Sequence, residues 1–156
     1  MSNLQFRLGR TEEFPALKEM IIDSFEPITW FKKLDAEFGP LNGRDWRDRW
    51  NLRLDKVFAS QIILVGQAGD AVVAVATGTA DEDTRTGFID LLGVDIAQQG
   101  KGYGRQMLQG MLDHFRQQGM EHARLECLTD NEKGNALYRS AGWSLVSSSN
   151  MWFLKL

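Results

Sequence analysis

The sequence contains one cysteine, two histidines and three prolines in 156 residues. The single thiol, Cys127, excludes an internal disulfide and fits a reducing compartment. His114 and His122 have no second ligand at a metal-site spacing, so no metal centre is expected. Nothing approaches the roughly 18 consecutive apolar residues of a membrane span. The opening MSNLQFRLGR has no apolar leader core. These absences point to a cytoplasmic protein with no membrane partner. An excess of positive charge is also lacking: 18 Lys and Arg against 21 Asp and Glu give a formal net charge of −3, so a wholly basic face for nucleic acid is not expected. What is present is ordinary for a folded domain, with 43% hydrophobic and 25% charged residues. A single domain over residues 1–156 is the simplest organisation, long enough to bury a core.

Hydrophobic patterning divides the chain. Leu4, Phe6 and Leu8 alternate with polar residues, as in a short strand. Thr11 is placed to cap a helix with Glu12 and Glu13 in its first turn and Leu17, Met20, Ile21 and Phe25 on one face. Residues 28–58 read as two helical pieces broken at 39-GPLNG-43. The second piece sets Trp46, Trp50, Leu54 and Val57 on one face, among Arg44, Arg47, Arg49 and Arg53. Strands follow at 62-IILVG-66 and 71-AVVAVATG-78, a hairpin about 69-GD-70, and at 88-FIDLLGV-94. Gly93 in the last of these marks a bulge or a close backbone approach.

Met107, Leu108, Met111, Leu112 and Phe115 define an amphipathic helix, with Gly119 placed to cap its C-terminus. A strand at 123-ARLECL-128 and a helix over residues 132–141 come next. A closing hairpin joins 143-WSLV-146 to 151-MWFLKL-156 through 147-SSSN-150. The order β-α-α-β-β-β-α-β-α-β-β combines antiparallel neighbours with one parallel crossover. The fold class is therefore α/β, a mixed (α+β) sheet with helices on both faces.

Between the 88–94 strand and the amphipathic helix lies 99-QGKGYGR-105, a glycine-rich loop suited to phosphates. The magnesium-triphosphate pattern G-x-x-x-x-G-K-[ST], anchored on Gly100 and Lys101, requires glycine at 95 and a hydroxyl at 102; the sequence has Asp95 and Gly102. The dinucleotide pattern G-x-G-x-x-G requires glycine or alanine at 105, where Arg105 stands. The pattern [QR]-x-x-G-x-[GA] fits without a gap on Gln99, Gly102 and Gly104. Further on, 131-NEKGNALYRSAGW-143 matches N-x-x-A-x-x-L-Y-x-x-x-G-[FW] at Asn131, Leu137, Tyr138, Gly142 and Trp143, with Gly134 in place of the alanine.

The two motifs, in this order with a strand between, resemble the GNAT superfamily of N-acetyltransferases. The resemblance covers roughly residues 62–156. It implies a GNAT fold with splayed central strands, the fourth and fifth, and acetyl-CoA as co-substrate. It also implies acetyl transfer to a primary amine, on a small molecule or a peptide, by direct attack in a ternary complex. A homodimer is admitted by the resemblance and required by nothing in the sequence.

Residue by residue, the resemblance places the pyrophosphate on Gln99, Gly100, Lys101, Gly102, Tyr103, Gly104 and Arg105. Glycines let backbone N–H groups approach a phosphate, and the helix N-terminus adds partial positive charge. Leu92, Gly93 and Val94 would receive the pantetheine arm, with Gly93 in the bulge that splays the strands. Asn131 would hold that arm or cap the following helix. The Tyr138 hydroxyl would meet the leaving thiolate. Glu126 and Asp90 are alternative general bases, each inside an apolar strand; the plainer reading is that each faces solvent or pairs with an arginine. Trp30, Phe31, Trp46 and Trp50 either wall the acceptor site or pack the core, and Cys127 packs. The other reading of the same motifs is a non-catalytic acyl-CoA-binding module.

Overall fold

The computed structural model of the protein describes residues 3–156; positions 1 and 2 of the single-domain reading lie outside the described residues. Five strands form one sheet in chain order: β1 (Gln5–Leu8), β2 (Ile62–Ala68), β3 (Ala71–Asp81), β4 (Thr86–Val94) and β5 (His122–Leu125). The first four pair antiparallel, and β4 pairs parallel with β5. The helices are α1 (Phe14–Phe25), α2 (Trp30–Phe38), α3 (Trp46–Ser60), α4 (Tyr103–Gln117) and α5 (Glu132–Ser140). The mixed sheet with a crossover through α4 is the expected architecture.

Two apolar layers flank the sheet, because β side chains alternate between faces. One layer buries Met107, Leu108, Met111 and Phe115 of α4 on Leu64, Ala74, Ala76 and Ile89. The other buries Leu17, Ile21 and Ile22 of α1 and Trp50, Leu54, Val57 and Phe58 of α3 on Ile63, Val65, Val75 and Leu91. Burying each such large side chain contributes about 1.5–3 kcal/mol. Trp50 also donates its indole N–H to the buried Thr29 hydroxyl at 2.9 Å. Phe31 and Phe25 pack their rings on it.

Four local expectations are corrected. The helix expected to be capped by Thr11 starts at Phe14, after a short 3-10 turn in which Glu13 accepts the Arg10 N–H at 2.9 Å. The 123–128 strand ends at Leu125, so Glu126 and Cys127 lie beyond it. Residues 143–156 form no strand, and the closing hairpin is absent.

The fourth concerns the bulge, which lies at Asp90 rather than Gly93. Leu91 pairs with Thr77 and Ile89 with Gly78, leaving Asp90 unopposed, whereas Gly93 pairs regularly with Val75. The extra residue turns the strand over: Ile89 joins the α4 layer and Leu91 the α1–α3 layer. Gly93 faces α1, where a Cβ would make ordinary contact with Ile21 Cα at 3.5 Å.

Gly78, opposite the bulge, has no room for a side chain. A Cβ at Gly78 would lie 2.3 Å from the Phe88 carbonyl oxygen and 2.8 Å from the Met111 methyl. Gly78→Ala should therefore destabilise the fold by about 2–3 kcal/mol, read as a lowered midpoint in urea or heat.

Candidate functional site

The site begins where two strands part. β4 and β5 pair only from Thr86↔His122 to Ile89↔Leu125. From the Asp90 bulge onward, β4 keeps its ladder to β3 through Val94 and has no partner on the β5 side among the described residues. A bulge bends its strand and increases its twist, which accounts for the parting. Alternate backbone groups of Asp90–Val94 thus face a gap. Leu92, Gly93 and Val94 lie on this unpaired stretch.

The glycine loop enters from the end of β4. The Gln99 side-chain amide donates to the Val94 carbonyl at 3.2 Å, which ties the loop to the strand. Gly100 and Gly102 both have φ +82°, the left-handed region that favours glycine. Gly102 is the N-cap of α4 and, having no side chain, supplies no side-chain cap to the first turn. Gly104 lies in that first turn. Tyr103 is buried in the core and anchors the loop from below. Lys101 and Arg105 stay exposed; Lys101 donates to Gln98 at 2.7 Å, and Arg105 reaches the Ser140 hydroxyl on α5.

The turn after β5 brings Cys127, Asn131, Gly134 and Tyr138 together. Asn131 caps α5, its side-chain oxygen accepting the Gly134 N–H at 3.1 Å. A Cβ at Gly134 would lie 2.6 Å from Asn131 Nδ2 and 3.0 Å from Cys127 Sγ. Glycine at the motif's alanine position avoids this crowding and leaves room for the Asn131 cap and the Cys127 thiol. Burial pushes the Cys127 thiol up, against a smaller pull downward from Asn131, so it is held as a thiol at neutral pH. Tyr138 packs against the α4 layer and edge-on to Trp143 at 6.0 Å. Its hydroxyl is pushed up to about 12, chiefly by burial and secondarily by Cys127. Among the described residues that hydroxyl has no hydrogen-bond partner.

The two carboxylates sit differently. Asp90 accepts from Arg53 and from the Gln61 amide, both at 2.8 Å, and so faces α3. Glu126 has an 81% exposed side chain with a loose 3.5 Å contact to Arg124. The arginines of 44–53 are held in ion pairs. Arg44 pairs with Asp48, Arg47 with Glu19 and Asp23, Arg49 with Asp35 and Arg53 with Asp90. Sequence reasoning did not find the Lys33–Asp130 pair, which ties α2 to the turn before Asn131. Its partners lie 97 residues apart, and no local pattern signals it. Among the described residues no cluster of three metal-ligating side chains occurs, and no helix is long and apolar enough to cross a membrane.

These features can be set beside known proteins. Mycothiol acetyltransferase of Propionibacterium freudenreichii is 37% identical over 91 residues, 58% of this chain and 29% of that protein. N-alpha-acetyltransferase RimI of Mycobacterium tuberculosis is 40% identical over 65 residues, 42% of this chain and 39% of that protein. The chain thus spans well under half the length of the curated relatives it matches. The structure of aminoglycoside N-acetyltransferase AAC(6')-Iy in complex with CoA superposes with a TM-score of 0.68, covering 100% of this chain and 97% of that one; at 8% identity the likeness is one of fold. The family model described as "Acetyltransferase (GNAT) family" matches residues 20–143. That match takes in the bulged strand, the glycine loop and the Asn131–Trp143 motif, and the chain belongs to the GNAT acetyltransferase family.

Proposed function

We propose that the protein is an acetyl-CoA-dependent N-acetyltransferase acting on a primary amine of a small molecule or a peptide. Three features of the chain carry this reading. They are a left-handed glycine loop whose Gly102 is the N-cap of α4, a gap opened by the Asp90 bulge, and a protonated Tyr138 on α5. The residues suit the group they would hold. A Cβ at Gly100 would meet nothing within 4 Å, and the first-turn N–H groups of α4 can donate to a pyrophosphate. Lys101 and Arg105 add positive charge from exposed positions. Leu92, Gly93 and Val94 offer backbone partners along the gap to an extended amide chain. Asn131 is occupied as a cap, so it acts by fixing the start of α5.

When bound, acetyl-CoA supplies the acetyl group as a thioester. The work left to the protein is orientation, polarisation of the carbonyl and care of two protons. The Tyr138 hydroxyl donates a hydrogen bond where the thiolate departs. The amine must lose a proton, since alkyl ammonium groups titrate near about 10 and α-amino groups near about 8. Glu126 is open to water and is the better placed of the two carboxylates to accept it; Asp90 is held by Arg53 and Gln61. The names of the relatives, one a mycothiol acetyltransferase and one an N-alpha-acetyltransferase, support both acceptor classes equally.

The test is a panel of polyamines, amino acids, aminoglycosides and peptide N-termini with acetyl-CoA, following thiol release. At least one class should release thiol in proportion to enzyme. Binding of acetyl-CoA with no release on any class would favour a non-catalytic module.

A further inference from the structure

The bulge in β4 is placed without a backbone signal of its own. None of residues 88–92 is glycine, and none has a positive φ. Gly78 makes room opposite, yet it does not specify which residue of β4 is the extra one. The neighbours of Asp90, 88-FI-89 and 91-LL-92, are apolar and suit the layer on either face. Asp90 does not. Its side chain is 14% exposed, and a carboxylate so far withdrawn from water needs donors.

One face of the sheet supplies them. The α4 layer, with Met107, Met111 and Phe115, offers a carboxylate nothing. On the α3 side, Arg53 Nη2 donates to Asp90 Oδ1 and Gln61 Nε2 donates to Oδ2, both at 2.8 Å, so both oxygens are held. Both donors are fixed. Arg53 stands on α3 and lies over the ring of buried Trp50 at 5.0 Å. Gln61 is the C-cap of α3, its backbone N–H donating to the Val57 carbonyl at 2.8 Å. Gln61 keeps its amide turned to Asp90 although its own Oε1 is buried with no hydrogen-bond partner.

We infer that Arg53 and Gln61 are positioning residues: by latching Asp90 to α3 they make it the extra residue of β4, and so select which backbone groups face the gap. The consequence is stereochemical. Alternate N–H and C=O groups after the bulge face β3 and the gap. Were Asp90 to pair regularly with Thr77, Leu91 and the residues after it would change faces, up to wherever the strand next accommodates an extra residue. Leu91 would leave the α1–α3 layer. The groups offered to an extended amide chain would then begin in the wrong phase.

Nuclear magnetic resonance on the intact chain reads the register directly. In the wild type a cross-strand NOE should join Thr77 to Leu91. In Arg53→Met with Gln61→Met, and in Asp90→Ala, it should be replaced by one from Thr77 to position 90. Asp90→Ala strands no charge, so it decides the matter where the double variant does not fold. Arg53→Lys keeps a cation in reach of Asp90 and should retain the Thr77–Leu91 contact. Survival of that contact in Asp90→Ala overturns the proposal, whatever the chain binds. The effect on the gap rests on the acetyl-CoA reading, and is measured by titration with CoA and with ADP, which carries a pyrophosphate and lacks the pantetheine arm. The latch variants should lose about tenfold in affinity for CoA, as for one or two hydrogen bonds to the arm, and less than about twofold for ADP. Equal losses on both would make the latch a general structural contact and overturn its assigned role. A wild type that binds neither removes the acetyl-CoA reading and leaves the register to judge the latch.

Discussion

Tyr138→Phe is expected to lower kcat about 100-fold while changing acetyl-CoA affinity less than about twofold, the signature of a group acting on the departing thiolate. The reasoning is electrostatic. A thiol titrates near about 8.5, and the Tyr138 hydroxyl is pushed up to about 12. Complete proton transfer from phenol to thiolate is then uphill by roughly 5 kcal/mol, whereas donation of a hydrogen bond is not. Phenylalanine keeps the ring against Trp143 and the α4 layer and removes only the donor. The pH profile follows from the sign of the shift. A raised value keeps the hydroxyl protonated beyond its ordinary range, so the rate should rise as the amine deprotonates. It should not fall between about pH 8 and pH 10, where an unshifted tyrosine would begin to ionise. A stopped assay across that range in wild type and Y138F checks both. An equal loss of kcat and affinity would make Tyr138 a structural residue.

Gly102→Val should weaken acetyl-CoA binding by at least about 100-fold, the second large effect. At φ +82° a β-branched residue is strained by roughly 1–2 kcal/mol or more. The larger loss comes from turning the loop's N–H groups away from the pyrophosphate at the N-cap of α4. Gly119→Ala is the matched control. It carries the same kind of strain, φ +84°, at the far end of α4, and should lower thermal stability without touching binding. Calorimetric titration of both variants separates the two contributions.

The parts of the fold written in local pattern were legible beforehand. The α4 stripe, the Trp46–Val57 face, the β2–β3 hairpin and the Asn131 cap each depend on residues close in sequence. The bulge was misplaced because 88-FIDLLGV-94 is apolar on both sides of Asp90, and only the register against β3 reveals the unopposed residue. The roles of Asp90 and the arginines were obscured for the same reason: Arg53 and Gln61 reach Asp90 across 37 and 29 positions. Glu126 looked enclosed because ARLECL reads as one strand, yet pairing with β4 ends at Leu125. The closing hairpin failed on a non-local condition too, since the strand propensity of MWFLKL does not supply a partner strand, and residues 143–156 form none.

The central claim is that QGKGYGR, with the gap beside it, holds acetyl-CoA. Isothermal titration of the wild-type chain tests it most directly. The account predicts saturable binding of acetyl-CoA, one per chain, unaffected by chelators and lost in Gly102→Val. No binding of acetyl-CoA, or binding of ATP or NAD in its place, would contradict it.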